Sequence, residues 1–239
     1  MAASKGKLST EPYKGVRDFY PKDMALQKYL FGVMREVAER FGFVEYSASV
    51  LEPAELYEAK TGEEIVSEQT YTFTDRGERR VTLRPEMTPS VARMVAARRR
   101  ELTFPLRWYS IPNIFRYERP QRGRLREHWQ LNADIFGVSG IEAEVESISL
   151  AFEIMRAFGA RSDDFEIRVN NRESFNTQLT KYKLTSAQAR ELWMLVDRKD
   201  KMENFDEEVK KLVGAPFAFP ETPDPGTADI LDALKRSGV

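Results

Sequence analysis

The chain has no cysteine and a single histidine, His128. Without thiols there is no disulfide framework, no thiolate metal site and no cysteine nucleophile, a composition compatible with a reducing cytosol. One imidazole cannot build a multi-histidine metal cage and disfavours a serine–histidine hydrolase relay. No run of about 18 apolar residues occurs, so nothing reads as a membrane-spanning helix, and a cytoplasmic location is expected. The opening MAASKGKLSTEP lacks the apolar core of a secretory signal and is expected to fray as far as KGVRDFYP. An excess of one charge is missing too. The 37 basic residues nearly cancel the 38 acidic ones, so attraction to nucleic acid or to anionic lipid must come from a local patch. There is no repeat at solenoid periods and no low-complexity tract.

What is present is 239 residues with 41% hydrophobic content, enough for one large domain, or one domain and an appendage. From Pro21 to Phe41, Leu26, Leu30, Val33, Met34, Val37 and Phe41 fall at helical spacing. After Gly42, FVEYSASVLEP reads as a strand closed by Pro53. ELYEAKTGEEIVSEQ reads as helical and then irregular. TYTFTD and RRVTLRP read as an antiparallel pair joined across Arg76-Gly77. Met87 to Arg100 reads as a helix on Met87, Val91, Met94 and Val95, and IEAEVESISLAFEIMRAFG as another, with FEIRVNN alternating like one more strand. From Arg172 strand signals give way to helical stretches and the proline-rich APFAFPETPDP. The expected domains are therefore 1–171 and 172–239. Antiparallel pairs flanked by helices, without regular βαβ alternation, give an α+β fold.

The stretch IFRYERPQRGRLREHWQLNADIFG carries five arginines between Arg116 and Arg126 and reads as two strands around a loop. Alternation puts Tyr109, Ile111, Asn113, Phe115 and Tyr117 on one face, and Ser110, Pro112, Ile114, Arg116 and Glu118 on the other. The return strand puts Trp129, Leu131, Ala133 and Ile135 on an apolar face, with His128, Gln130, Asn132 and Asp134 on a polar one. The plain reading is a sheet with one wet face. The sharper reading is a binding floor: a strand arginine forks onto phosphate oxygens, and a nearby glutamate accepts from an amine such as adenine's. The loop RPQRGRL supplies cations and a glycine, suited to a polyphosphate or a nucleic-acid backbone, or simply to solvent.

At these residues the chain resembles the N-terminal catalytic part of a histidyl-tRNA synthetase, a class II aminoacyl-tRNA synthetase. FRYERPQRGRLREHWQLNADIFG resembles the family's motif 2. KGVRDFYP, LEPAELYEAKTGEE and YTFTDRGERRVTLRPEMT resemble its opening, its motif 1 region and its histidine-binding segment, in order. The resemblance implies that Arg116 holds the ATP α-phosphate and stabilises the charge developing in nucleotidyl transfer. Glu118 would read the adenine amino group, and Arg124 would hold the outer phosphates. Glu86 and Thr88 would bind the α-ammonium of L-histidine with Gln130, and Asp134 would face its imidazole. The chemistry agrees: an ammonium needs acceptors, and a ring N–H suits a carboxylate. Glu86 and Thr88 also suit a plain helix start, at the positive end of the dipole. ATP brings Mg2+ by its own chemistry.

There are departures. Ser49 stands where motif 1 of the family has a proline at the dimer interface, although a homodimer through this region is still expected. The family's later motifs, among them motif 3 with a second ATP-binding arginine, do not follow FEIRVNN; Arg172–Val239 resembles a helical insertion, best at VDRKDKM. The sequence thus reads as a fragment. The implied activity, histidine activation and transfer to tRNA(His), would belong to the full-length parent, and this piece alone would be inactive. Two other readings stand beside it: a non-catalytic synthetase-like regulatory subunit of histidine biosynthesis, and an α+β module binding single-stranded nucleic acid through a basic hairpin. The first does not need the ERPQRGR cations. The second needs exposed aromatics among them.

Overall fold

A computed structural model describes residues 9–61, 69–119, 121, 123–169, 184–199, 202–214 and 225–239. Helix α1 (Pro21–Arg40) starts on a proline whose fixed φ suits the first turn, and Asp23 accepts a hydrogen bond from the Tyr20 amide at 3.3 Å. It buries Val37 and Ala38 but leaves Leu26 and Tyr29 in solvent. FVEYSASVLEP, read as one strand, forms two: β1 (Val44–Glu45) and β2 (Leu51–Pro53), in different sheets. The small residues Ser47, Ala48 and Ser49 between them have no side chains that favour a pleated surface.

Helix α2 (Glu55–Thr61) leads to β3 (Tyr71–Thr74) and β4 (Arg80–Leu83), which pair antiparallel from Tyr71↔Leu83 to Thr74↔Arg80 as the alternation predicts. With β2 they make a sheet of order β2-β4-β3. Helix α3 (Thr88–Arg98) lays Val91 and Val95 on Leu106 of β5 (Leu106–Ser110), with Tyr46, Trp108 and Phe136 packed around them.

The arginine hairpin differs from its sequence reading in one respect. Each arm is broken, giving β5 and β6 (Asn113–Phe115) on the way out, β7 (Glu127–Trp129) and β8 (Asn132–Phe136) on the way back. Pro112 has no N–H to continue the ladder, but its carbonyl accepts from the Gln130 amide at 3.2 Å and keeps the arms together across the break. Beyond it, β5 and β8 pair from Leu106↔Phe136 to Ser110↔Asn132, and β6 and β7 from Asn113↔Trp129 to Phe115↔Glu127. Strand β1 lies parallel to β5, completing the order β1-β5-β8. The face read as wet is partly covered: Ile114 and Ser110 are buried, Asp134 and Asn132 are half-buried, and Gln130 is exposed. Strand β8 ends at Gly137, where a Cβ would come within 2.9 Å of the Phe104 ring.

The chain divides into two compact units, Met1–Ser139 with Glu153–Ala160, and Gly140–Phe152 with Arg161–Val239; the composition break at Arg172 lies inside the second. Helix α4 (Glu142–Ala157) contributes to both. Within the second unit, α5 (Ser186–Asp197) is capped reciprocally by Thr185 and Gln188, and with α6 (Phe205–Val213) it buries Leu192, Phe205 and Val209. Helix α7 (Pro225–Ser237) closes the chain. Phe165–Val169, read as a strand, pairs with no strand among the described residues: Phe165 meets Phe152 at 5.7 Å, and Ile167 and Val169 line an apolar cavity of about 350 Å3 with Leu231 and Leu234. The fold is α+β. The expectations for residues 1–8, 62–68, 170–183, 200–201 and 215–224 lie outside the described residues.

Candidate functional site

The segment from Arg84 to Thr88 is fixed first by Arg84, a guanidinium only 5% exposed. Its Nε donates to the Asn113 carbonyl at 2.9 Å, Nη2 to Asn113 Oδ1 at 3.0 Å and Nη1 to the Ala48 carbonyl at 2.7 Å. Asn113 in turn donates to Glu127 Oε1 at 2.8 Å. One buried side chain thus ties the turn after β1, the end of β4 and the start of β6 together. Burial pulls its pKa down, but a guanidinium stays protonated. Beside it, the Phe115 amide donates to the Arg84 carbonyl at 3.0 Å.

Arg116 follows directly on β6. Its Nε donates to the Pro85 carbonyl at 3.0 Å, so the guanidinium is seated against the Pro85–Thr88 turn. Its amide donates to the Arg126 carbonyl at 2.9 Å, extending the β6–β7 ladder by one step. Glu118 Oε2 and Arg124 Nη1 form an ion pair at 3.2 Å. The loop between them is closed by paired amide-to-carbonyl bonds of Gln121 and Arg124 at 3.1 and 2.9 Å, around Gly123 at φ +77. That left-handed φ favours glycine.

The residues read as an ammonium and imidazole pocket are placed less evenly. Glu86 is half-buried, and its carbonyl accepts from Tyr57 Oη at 3.3 Å; Thr88 is exposed at the first turn of α3. Gln130 is exposed at the break between β7 and β8. Asp134 has its Oδ2 buried with no hydrogen-bond partner among the described residues, and burial pushes its carboxyl pKa up. The structure therefore brings Arg116 to the Glu86 turn and Glu118 to Arg124, while no hydrogen bond or ion pair joins Gln130 or Asp134 to Glu86 or Thr88 among the described residues. His128 sits across from Ile114; burial and the neighbouring charge of Arg116 pull its pKa down.

With this geometry in place, residues 15–222 match the histidyl-tRNA synthetase family. The chain belongs to that family. A histidine–tRNA ligase of Leptospira biflexa is 52% identical over 197 residues, covering 82% of this chain and 45% of the relative. The chain thus spans about half the length of such relatives, or less. A solved histidyl-tRNA synthetase from Nostoc sp. PCC 7120 superposes with a TM-score of 0.71 at 24% identity, over 96% of this chain and 52% of that one. A Bacillus halodurans C structure described as an ATP phosphoribosyltransferase regulatory subunit/histidyl-tRNA synthetase superposes with a TM-score of 0.75 at 19% identity, over 98% and 66%. These likenesses show the class II synthetase fold. No helix among the described residues is long and apolar enough to cross a membrane.

Two residues of this synthetase-family site escape a reading by motif. Arg84 looks like one more strand cation, and nothing in the sequence tells that its partners are carbonyls. Arg126 reads as the last of the loop's cations but is only 9% exposed. Its amide donates to the Gly15 carbonyl at 2.7 Å, Nε to the Glu118 carbonyl at 3.1 Å and Nη1 to Tyr13 Oη at 3.3 Å, and its guanidinium carbon lies 4.2 Å from the Tyr117 ring centre. It staples the KGVRDFYP segment to the base of the loop. Tyr13 at the head of that segment supplies the only signal available in sequence, an aromatic partner for a cation.

Proposed function

We propose that this chain carries the ATP- and histidine-binding half of a histidine–tRNA ligase, whose parent activates L-histidine to histidyl-adenylate and transfers it to tRNA(His). The observation that carries the reading is Arg116, tethered at its Nε to the Pro85 carbonyl so that its terminal nitrogens stay available beside the Glu86–Thr88 turn. In activation, a carboxylate oxygen of histidine attacks the α-phosphorus, the bond to the β-phosphate bridging oxygen breaks, and pyrophosphate leaves with the electron pair. Arg116 meets the charge that grows on the α-phosphoryl oxygens. Glu118 accepts from the adenine amino group, and Arg124 takes the outer phosphates with the Mg2+ they carry. Glu86, Thr88 and Gln130 receive the substrate ammonium, and Asp134 its imidazole.

Arg172–Val239 is read as the family's inserted domain, and the whole as a cytoplasmic protein. Pairing of two copies through the motif 1 region is supported by the exposed apolar side chains of Val44 on β1 and Leu51 on β2, with Leu26 and Tyr29 exposed on the preceding α1. The regulatory-subunit reading has a fold likeness behind it, but the Arg116–Glu118–Arg124 set is suited to a nucleotide triphosphate that such a sensor would not bind. The two are separated by thermal-shift titration of the chain with a non-hydrolysable histidyl-adenylate analogue beside its alanyl counterpart. Stabilisation by the histidyl compound alone is expected, together with negligible histidine-dependent pyrophosphate exchange by this piece. Robust exchange, or no shift with either compound, counts against the reading.

A further inference from the structure

Three of the buried side-chain polar atoms that lack a hydrogen-bond partner among the described residues are Tyr46 Oη, Ser110 Oγ and Asp134 Oδ2. Orphaned buried polar atoms are rare in folded proteins, and each costs about 1–3 kcal/mol unless something pairs it. These three fall on one face of one sheet. Trp108 is opposite Asp134 across β5 and β8, and Ser110 is two residues along from Trp108, on the same face. On the other side of β5, Val44 is opposite Trp108, and the Tyr46 amide donates to the Tyr109 carbonyl at 2.8 Å, which carries the parallel register on to bring Tyr46 level with Ser110. The Tyr46 ring packs on Trp108 at 5.8 Å. Serine at 110 is small enough to let the phenol lie across β5 towards Asp134.

The electrostatics agree with this placement. Burial first, and then the Asp134 charge, push the Tyr46 phenol up to about 12 against the opposing pull of Ser110 and Arg84. Ser110 is close enough to act on the phenol but falls short of hydrogen-bonding geometry. Tyr46 and Ser110 also line one cavity of about 600 Å3, with Met87 of the Glu86–Thr88 turn on its wall. The charged groups of this cavity are Arg84, which acts on the Tyr46 phenol, and Arg35 and Glu45, which pair with each other at 3.1 Å, while α3 contributes the apolar Val91 and Val95 beside Trp108.

We propose that Tyr46 and Ser110 are positioning residues for the imidazole subsite: their hydroxyls hold the Asp134 carboxylate aimed at a ring N–H of the bound histidine side chain. This rests on the histidine-binding reading above and extends it to two residues outside the motifs. An ionised Asp134 accepts a ring N–H more strongly than a protonated one. By donating to the carboxylate once the ring is seated, the two hydroxyls on this face would favour that ionised state, which burial alone opposes.

The test is calorimetric titration of the chain with a histidyl-sulfamoyl adenosine, from about pH 5 to pH 8, with an ATP analogue titrated in parallel. The parent is compared with Tyr46→Phe and with Ser110→Ala. Expected is a loss of roughly tenfold in affinity for the histidyl compound in Tyr46→Phe, as for a bond to a charged group, with a smaller loss in Ser110→Ala and none for the ATP analogue. The acid limb of histidyl binding moves to higher pH in both variants, because the ionised carboxylate has lost a donor. A purely structural role weakens both ligands together and leaves the pH limb in place, which overturns the inference. Undiminished histidyl binding in both variants overturns it while leaving the reading of the site intact. No histidyl binding by the parent overturns the reading and the inference with it. Should Tyr46→Phe fail to fold, Ser110→Ala decides the matter.

Discussion

The Nε of Arg116 donates to the carbonyl of Pro85 at 3.0 Å. One end of the guanidinium is thereby spent on the backbone, and the fork is held at the turn that carries Glu86 and Thr88. A planar, five-donor cation does this and still has donors for a phosphate; an ammonium has one point of charge for both tasks. Arg116→Ala is expected to abolish stabilisation of the chain by a histidyl-adenylate analogue, and Arg116→Lys to recover little of it. In the full-length parent the loss in activation rate is expected to be about 10²–10³-fold, the usual scale for one preorganised donor. Full rescue by lysine in a thermal-shift assay would show that geometry at Arg116 is immaterial.

Arg126 joins the N-terminal segment to the motif 2 loop through Tyr13, Gly15 and the Glu118 carbonyl. Arg126→Ala therefore acts in two places. The segment around Tyr13 should become open to limited proteolysis, and ATP-analogue binding should weaken because Glu118 loses its backbone anchor. Arg126→Lys keeps the charge but not the fork, and is expected to lie near alanine. A variant with the parent's cleavage pattern and nucleotide affinity would refute the staple.

Burial lifts the Asp134 carboxyl above its ordinary value. Between the unfolded and the raised folded pKa the native chain holds a proton that the unfolded chain has released, so stability falls as pH rises through that window. Asp134→Asn removes the titration. The variant is expected to melt above the parent at about pH 7 and to show no such gain at about pH 4, while losing histidyl-analogue binding. Melting curves that change with pH equally in both proteins would show that this carboxyl is not the source.

Val44 and Leu51 are exposed in the motif 1 region, and Leu26 and Tyr29 are exposed on the preceding α1. Light scattering after gel filtration is expected to give a dimer at micromolar concentration, and Val44→Lys a monomer. A clean monomer for the parent would point either to Ser49, where a motif 1 proline is expected, or to the part of the relatives' length that this chain does not span.

Much of this was readable in the chain because it is periodic. The stripe of α1, the pairing of β3 with β4, and α3 all follow from residue spacing, and α5 with α6 from composition. The failures have physical causes. Alternation through RWYSIPNIFRYE hides the break at Pro112, although a proline cannot donate to a ladder and the clue was there. FEIRVNN alternates, but its described part uses its apolar side chains to cover helices and pairs no backbone. Within the candidate site, residue type and resemblance pointed to Arg116, Glu118 and Arg124, and the structure seats Arg116 on the Pro85 carbonyl and pairs Glu118 with Arg124. Arg84 and Arg126 were out of reach because an arginine whose partners are carbonyls and tyrosines, contributed by segments far away in sequence, looks the same as a solvated one. The same holds for Tyr46, whose relation to Asp134 exists only once β1 lies beside β5.

The ion pair of Glu118 with Arg124 has a last implication. The loop answers its own charges, with Arg124 58% and Glu118 22% exposed at the side chain, so the pair is worth less than about 1 kcal/mol. On the proposed reading, a nucleotide arriving there would make an exchange of counterions: the triphosphate would replace Glu118 on Arg124, and the adenine amine would replace Arg124 on Glu118. Both ends of the ligand would be needed to complete the swap. Inorganic triphosphate or adenosine alone would satisfy one residue while stranding the other, so the closed loop would act as a coincidence detector for the intact nucleotide.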